Sequence, residues 1–327
     1  MDNSEMQTAQ PKTLSSMQKR CITAAIYLIV WIGLCALKWT VPDNWGALGF
    51  DAAFTAVSVI GCFELLRAVD RPESGQCFIS APQRMFTLAF CALVVPLHAI
   101  IQITMHAGLL AVACAFTVYV MFLMAASVFD HQKSTVKGTI YCIFCMLYCG
   151  VLSSILSSIN HLERNSMVAI LVLFMSTVLT DTGAFAIGSA FKKVLPMKLA
   201  PQLSPNKTVI GAIGGLIGGI LGGILAYYTI YIFGGVNSES LILGSNFSVY
   251  LTFSSEKIHP LVSFVLIGLA TSVMAQIGDL FESAIKRECN VKDMGKLLPG
   301  HGGILDRFDS MLYCSCVVLL CFGTIII

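Results

Sequence analysis

Residues 209–233 read VIGAIGGLIGGILGGILAYYTIYIF, a run of apolar and small residues without a charged side chain. A helix rises 1.5 Å per residue, so about 20 such residues cross the roughly 30 Å of hydrocarbon in a bilayer. This run is long enough, and it predicts a transmembrane helix. Its glycines recur four residues apart along two adjacent ridges, a spacing that lets neighbouring helices approach closely. We interpret them as packing residues.

Similar apolar blocks recur along the whole chain of 327 residues. Hydrophobic residues make up 56% of it and charged residues only 12%, with a mean hydropathy of +0.81, whereas a soluble domain carries about 25% charged residues. The pattern predicts an all-α polytopic membrane protein with about nine transmembrane helices. The other blocks lie near 21–37, 46–66, 85–104, 107–128, 138–158, 167–190, 260–282 and 309–327.

The basic residues between the blocks predict the orientation of the chain. With a cytoplasmic N-terminus, nine spans place all but three of the 20 lysines and arginines in cytoplasmic segments; the exceptions are Lys38, Arg164 and Lys257. Because positive charge collects on the cytoplasmic side, we expect a cytoplasmic N-terminus and an exoplasmic C-terminus. Residues 1–20 are expected to form a cytosolic tail without a cleavable signal. No long basic run appears, so we expect no nucleic-acid partner.

Three carboxylates fall inside the earlier blocks, where each costs at least about 2.5 kcal/mol at the bilayer centre. Asp51 and Glu64 lie near opposite ends of the second block, where solvation at the membrane interface explains them. Asp181 lies more than ten residues into its block and is followed by the small residues Thr182 and Gly183. This position predicts a helix that lines a cavity.

Polar chemistry concentrates in residues 278–310, which read GDLFESAIKRECNVKDMGKLLPGHGGILDRFDS. On a helix, positions i, i+4 and i+7 share one face. Asp279, Ser283 and Lys286 have this spacing, so one face presents a carboxylate, a hydroxyl and an ammonium.

A second acidic face begins the last apolar block, where Asp306 and Asp309 are three residues apart. Two acidic helix faces joined by a basic loop are typical of a site where divalent cations hold a polyphosphate. Glycines in the loop bring backbone N–H groups close to an anion. The loop carries Lys292, Lys296, Pro299, Gly300, His301, Gly302, Gly303 and Arg307.

A further polar loop, residues 199–208, reads LAPQLSPNKT. Lys207 and Thr208 directly precede a helix, and Ser204 belongs to the turn before it. An ammonium and two hydroxyls at a helix N-terminus can bind a phosphate. An ordinary helix cap with a cytoplasmic lysine explains the same residues, and the sequence leaves both interpretations open.

These residues resemble the phosphatidate cytidylyltransferase (CDP-diacylglycerol synthase) family, over about residues 180–310. The family signature is approximately S-x-x-K-R-x4-K-D-x-G-x3-P-G-H-G-G-x-x-D-R-x-D. It is matched at Ser283, Lys286, Arg287, Lys292, Asp293, Gly295, Pro299, Gly300, His301, Gly302, Gly303, Asp306, Arg307 and Asp309. An earlier family block, an aspartate and small-residue helix followed by S-P-x-K-T, is matched at Asp181, Gly188, Ser204, Pro205, Lys207 and Thr208.

The chain departs from the family pattern directly after the S-P-x-K-T block. The family continues with an aromatic residue and Glu-Gly, whereas this chain has Val209, Ile210 and Gly211. The carboxylate that the family has at position 210 is therefore missing.

The resemblance implies that the chain transfers CMP from CTP to phosphatidic acid, giving CDP-diacylglycerol and pyrophosphate in phospholipid biosynthesis. It implies a Mg²⁺ cofactor and a site on the cytoplasmic face of a bacterial inner membrane, in a C-terminal catalytic transmembrane region at 171–327 that follows N-terminal transmembrane helices at 21–170. Whether the chain forms a homodimer is left open by the resemblance.

The residue roles that the resemblance implies fall into three groups. The catalytic group is Asp279, Lys286, Arg287, Lys292, Asp306 and Arg307. The metal ligands are Asp279 and Asp306, supported by Asp309 or Asp293. The substrate-binding group is Asp181, Ser204, Lys207, Thr208, Ser283, His301, Gly302 and Gly303.

Two other functions fit parts of the same pattern. A CTP-dependent kinase of a polyprenol or similar lipid alcohol also needs a nucleotide site in the membrane. A secondary transporter could use Asp181 and Asp279 as ion sites, but the sequence shows no duplicated halves of the kind that transporters have.

Overall fold

The computed structural model of this chain describes all residues except 1–15, 42–44, 71–77, 130–133, 163–164, 195, 234–251, 254–255, 258–259, 299–301 and 326–327. Long helices dominate it, because a helix satisfies its own backbone hydrogen bonds inside a membrane. The helices of the N-terminal half are α1 (Ser16–Thr40), α2 (Trp45–Val69), α3 (Ala81–Met105), α4 (Gly108–Phe129), α5 (Val136–Cys145) and α6 (Leu152–Asn160), with a π-helical turn at Met146–Val151 between the last two. Those of the C-terminal half are α7 (Ser166–Phe191), α8 (Val209–Phe233), α9 (Pro260–Glu288) and α10 (Leu305–Leu320).

Two short antiparallel hairpins interrupt the helices. The first pairs β1 (Lys198–Ala200) with β2 (Ser204–Thr208), directly before α8. The second pairs β3 (Thr252–Phe253) with β4 (Glu256–Lys257), before α9. Only the first lies beside the polar residues singled out in the sequence.

Eight helical segments in the described part of the chain are long and apolar enough to cross a membrane. This confirms the prediction of an all-α polytopic membrane protein. The predicted span at 309–327 is not among the eight; in this region α10 has 16 residues and continues into a π-helical turn at Cys321–Ile325. The side on which each terminus lies stays a prediction, and most of the predicted tail at 1–20 lies outside the described residues.

The ends of α9 and α10 differ from the predicted spans. The α9 helix continues past residue 282 to Glu288. Its last turn contains Lys286 and Arg287, whose positive charges interact favourably with the negative end of the helix dipole. The α10 helix begins at Leu305, four residues before the predicted start. Both acidic faces are therefore carried on helices rather than on a loop.

Glycines bring α7, α8 and α9 into close contact. A Cβ atom added to Gly183 of α7 would lie 3.2 Å from the Cα of Gly218 in α8. One added to Gly268 of α9 would lie 3.3 Å from the Cα of Gly223 in α8. Backbones approach this closely only where side chains are absent. This packing fixes the three helices that surround the polar residues of the C-terminal half.

The expectation that interfacial solvation explains Asp51 and Glu64 is wrong, because both side chains are buried, each residue being only 5% exposed. Asp51 accepts a hydrogen bond from Ser157 Oγ at 2.7 Å and from Asn160 Nδ2 at 3.1 Å, and His161 Nε2 lies 2.7 Å from its other oxygen. Glu64 is held by backbone amides at the start of α10. Buried carboxylates need such partners, and here they come from elements distant in sequence.

Candidate active site

A cavity of about 620 Å³ lies where α7, β2, α8, α9 and α10 meet. Its lining combines glycines with charged side chains. The charged residues among its lining are Asp181, Lys192, Lys207, Asp279, Glu282, Lys286, Asp306, Arg307 and Asp309. All of them come from the C-terminal half.

The α9 helix supplies Asp279, Glu282 and Lys286, which are spaced i, i+3 and i+7 and share one face. The Lys286 ammonium forms ion pairs with Glu282 on its own helix and with Asp306 on α10, the latter at 2.5 Å. This lysine therefore joins the two acidic helix faces. Glu282 is almost fully buried, and its Oε1 atom has no hydrogen-bond partner.

The α10 helix supplies Asp306 in its first turn, where the helix dipole favours negative charge. Its Oδ2 atom accepts hydrogen bonds from the backbone amides of Gly303 at 2.6 Å and Met294 at 3.0 Å. Asp309 lies one turn further on, and its Oδ1 atom accepts from the amide of Ser310 at 2.7 Å. Asp306 is therefore fixed by the loop before α10, while Asp309 depends on its own helix.

The β1–β2 hairpin places Lys207 beside α9, where its ammonium forms an ion pair with Asp279. Arg287 ties the hairpin to α9, because its Nε donates to the carbonyl oxygen of Leu203 at 2.9 Å. Thr208 is buried, and its Oγ1 accepts from the amide of Gly211 at 3.1 Å, in the first turn of α8. The predicted helix cap is thus present, and Thr208 also lines the cavity.

The described glycines of the signature loop do not line the cavity. Gly302 has a φ of +88°, a backbone conformation that side chains disfavour. A Cβ atom at this position would lie 2.7 Å from Asp306 Oδ2. Gly303 donates to the same carboxylate. In the described part of the loop, these glycines therefore hold Asp306, and His301 lies outside the described residues.

The structure brings together one part of the predicted site and leaves another part outside the cavity. The predicted residues that line it are Asp181, Lys207, Thr208, Asp279, Lys286, Asp306, Arg307 and Asp309. The described residues that were predicted for the site but do not line it are Ser204, Ser283, Arg287, Lys292, Asp293, Gly302 and Gly303. Lys292 and Asp293 are exposed on the loop that follows α9.

Six polar lining residues were not among the predicted site residues: Ser189, Lys192, Asn206, Gln276, Glu282 and Ser310. The spacing of Glu282, three residues after Asp279 and four before Lys286, could have placed it on the same face. Gln276 is one turn before Asp279 on the same helix, and its Nε2 donates to the carbonyl oxygen of Ala212 at 3.3 Å. Lys192 follows α7, and no motif marks it.

The charges of the cavity indicate which ligands it can accept. Five carboxylates and four basic groups line it, so its formal charge is close to neutral and slightly negative. A polyphosphate would meet repulsion from the carboxylates unless a cation came with it.

The residues present fit a divalent cation of the Mg²⁺ type. Such ions prefer carboxylate oxygens, and Glu282 Oε1 is buried without a partner. In the described ranges, no group of three His, Cys, Asp or Glu side chains is arranged closely enough in this structure to hold a metal ion. Lys207 and Lys286 are paired with the carboxylates instead.

Comparison with known proteins identifies the family of the chain. A family model described as the cytidylyltransferase family matches residues 18–325. A phosphatidate cytidylyltransferase of Bacillus subtilis is 30% identical over 302 residues, covering 91% of this chain and 94% of that protein. One from Staphylococcus aureus is 28% identical and covers 91% and 95%, and one from Staphylococcus epidermidis is 30% identical and covers 72% and 77%.

Proposed function

This chain belongs to the cytidylyltransferase family and is a membrane-bound nucleotidyltransferase, and from this premise we propose that it transfers CMP from CTP to phosphatidic acid. A phosphate oxygen of the lipid attacks the α-phosphorus of CTP. The bond from that phosphorus to the oxygen bridging the β-phosphate breaks, and CDP-diacylglycerol and pyrophosphate are formed. The observation that carries the proposal is the convergence of α9 and α10 carboxylates with lysines and an arginine in one cavity.

The main obstacle to this reaction is repulsion between two anionic reactants. Lys207, Lys286 and Arg307 line the cavity and can neutralise phosphate charge. The two lysines are already paired with carboxylates, so they are held in place before a nucleotide arrives. Fixed charges of this kind lower the barrier by positioning and by stabilising the charge that develops on leaving pyrophosphate.

We propose Mg²⁺ as the cofactor, held by Asp279, Glu282, Asp306 and Asp309, which face the cavity from two helices. When bound, the ion would screen the triphosphate and draw charge from the leaving group. Asp293 does not line the cavity, and we leave it out of this set. In the structure, the amides of Met294 and Gly303 hold the Asp306 carboxylate in place.

The lipid can react without leaving the bilayer. The α7 wall of the cavity carries exposed Phe185 next to Asp181, so an apolar surface adjoins the charged one. A phosphate monoester is already ionised at neutral pH, and the attacking oxygen therefore needs no strong general base. We place the site on the cytoplasmic side of a bacterial inner membrane, as the positive-inside pattern predicts.

The test is to identify the lipid product. Detergent-solubilised protein is incubated with CTP labelled in its cytosine ring, phosphatidic acid and Mg²⁺, and the lipids are separated. We expect label in CDP-diacylglycerol and one pyrophosphate released per lipid formed, with neither product when phosphatidic acid is omitted. Parallel incubations with a polyprenol test the kinase. A lipid monophosphate with free CDP would overturn the proposal in favour of the kinase.

A further inference from the structure

Glu64 is a buried carboxylate on α2 that does not line the cavity. Its two oxygens accept hydrogen bonds from the backbone amides of Ile304 at 3.2 Å and Leu305 at 3.0 Å. In the described part of the chain, no lysine, arginine or histidine forms an ion pair with it. The Glu64 carboxylate is therefore stabilised by backbone N–H groups, whose aligned dipoles give a helix N-terminus a partial positive charge.

The partners of Glu64 are the first amides of α10, which no residue of that helix can satisfy. The residue before the helix is Ile304, and its side chain cannot accept a hydrogen bond. Glu64 therefore caps α10 from a helix about 240 positions earlier in the chain. Asp306 directly follows the capped amides, so the cap acts next to a carboxylate of the cavity.

Two glycines make room for the Glu64 side chain. A Cβ atom added to Gly295 would lie 2.5 Å from Glu64 Cδ, and all three of its nearest atoms belong to Glu64. One added to Gly303 would lie 2.6 Å from the same atom, and again all three nearest atoms belong to Glu64. Among the described glycines only Gly302 has a positive φ. Gly295 and Gly303 are therefore needed for space rather than for backbone freedom.

The carboxylates of Glu64 and Asp306 hold the same short segment. Glu64 binds the amides of Ile304 and Leu305, and Asp306 binds the amide of Gly303. Three consecutive amides are thus shared between a residue outside the cavity and one inside it. A shift of this segment would move Asp306 and Arg307 relative to α9, and misplacement by about 1 Å can cost about 100-fold in rate.

We propose that Glu64 is a positioning residue for nucleotidyl transfer, which fixes the loop before α10 so that Asp306, Arg307 and Asp309 face the cavity. The expected effect of Glu64 on turnover rests on the proposed function. Its expected effect on the position of residues 303–305 rests on geometry alone. It gives the N-terminal half of the chain a role in the site, whereas no site residue was predicted in that half from the sequence.

The first test does not depend on activity. Hydrogen exchange is followed by mass spectrometry in a peptide that contains residues 303–306, for the unchanged protein and for Glu64→Gln. The two N–H groups donate to different oxygens of Glu64, and Gln has an NH2 donor in place of one of them, so we expect the exchange of these amides to become about tenfold faster or more. Exchange in α4, which is distant in the fold, serves as the control and is expected not to change. Unchanged exchange at residues 303–306 would overturn the proposal.

The second test uses a double-mutant cycle between Glu64 and Gly295. Gly295→Ala should lower turnover per folded protein about tenfold or more, because its methyl group displaces the carboxylate. In the Glu64→Ala background the same change should have less than about a twofold effect. Gly302→Ala is the matched control: its strain comes from a positive φ and from Asp306, so its effect should persist in both backgrounds.

The outcomes separate positioning from a merely structural role. If Glu64→Gln lowers only the yield of folded protein, while turnover of the folded fraction stays unchanged, the inference is wrong. It is also wrong if Gly295→Ala has the same effect with and without Glu64. If Glu64→Ala does not fold, exchange and turnover of Glu64→Gln decide. If the unchanged protein does not form CDP-diacylglycerol, the proposed function is contradicted instead. The hydrogen-exchange result then still shows whether Glu64 holds residues 303–305 in place.

Discussion

Lys286 pairs with carboxylates from both acidic helices, Glu282 on α9 and Asp306 on α10. Its side chain is 16% exposed, and those of its partners are 1% and 3% exposed. Without the ammonium, two buried negative charges would face each other with no cation between them. A single residue thus contributes both to the stability of the helix pair and to the charge of the cavity.

We expect Lys286→Met to lower both stability and activity. Removing one partner of a buried ion pair costs about 3–5 kcal/mol, so the thermal unfolding midpoint in detergent should fall clearly. Turnover should fall at least about 100-fold, as for the loss of one donor that stabilises a transition state. Lys286→Arg keeps the charge and should retain more of both. Wild-type melting and turnover in the Met variant would show that the pairing has no such role.

At the scale of the elements, the small residues of α8 determine how closely α7 can approach. A Cβ atom added to Gly218 would lie 2.8 Å from the carbonyl carbon of Leu179. Gly33 on α1 is a matched control, because a Cβ atom there would meet nothing within 4 Å. The two glycines therefore differ in packing although both lie in apolar helices.

We expect Gly218→Ala to destabilise the protein by about 1–3 kcal/mol, the usual cost of overpacking. Gly33→Ala should leave the melting temperature unchanged or raise it slightly, because alanine favours helix more than glycine does. Both values can be read from thermal unfolding of the purified variants in detergent. Equal effects of the two substitutions would contradict the close approach of α7 and α8.

The sequence predicted the elements of the fold better than their contacts. Apolar blocks long enough to span a membrane predicted the ends of α2, α7 and α8 to within a few residues. The β1–β2 hairpin was not predicted, because its ten-residue loop contains two prolines and lacks an alternating apolar pattern. It is held by Arg287 of α9, a contact that local sequence does not reveal.

The site was predictable where its residues lie on one helix face and not where it depends on distant segments. Spacing alone placed Asp279 with Lys286 and Asp306 with Asp309. The pairing of Lys286 with Asp306, and the cap that Glu64 provides for α10, join residues whose distance no periodicity encodes. The motif glycines suggested an anion cradle, whereas the described ones make room for carboxylates.

At the scale of the whole molecule, nine crossings would place the two termini on opposite sides of the membrane. The predicted last crossing corresponds to α10, which has 16 residues and continues through a π-helical turn. We expect reporter fusions to show a cytoplasmic N-terminus and an exoplasmic C-terminus, as the distribution of basic residues predicts. Termini on the same side would show that the chain crosses the membrane an even number of times.

The whole molecule brings two acidic helices and a basic hairpin to one cavity, the proposed site of nucleotidyl transfer. Asp279→Asn and Asp306→Asn test this most directly, because each removes one negative charge with little change in shape. Glu288→Gln is the matched control, since Glu288 ends α9, is exposed and does not line the cavity.

The decisive measurement is the rate of CDP-diacylglycerol formation per folded protein in these three variants, with folding checked by size-exclusion chromatography. We predict at least about a 100-fold fall for Asp279→Asn and Asp306→Asn and an unchanged rate for Glu288→Gln. A rate near that of the unchanged protein in either cavity variant would contradict the role assigned to the paired acidic helices.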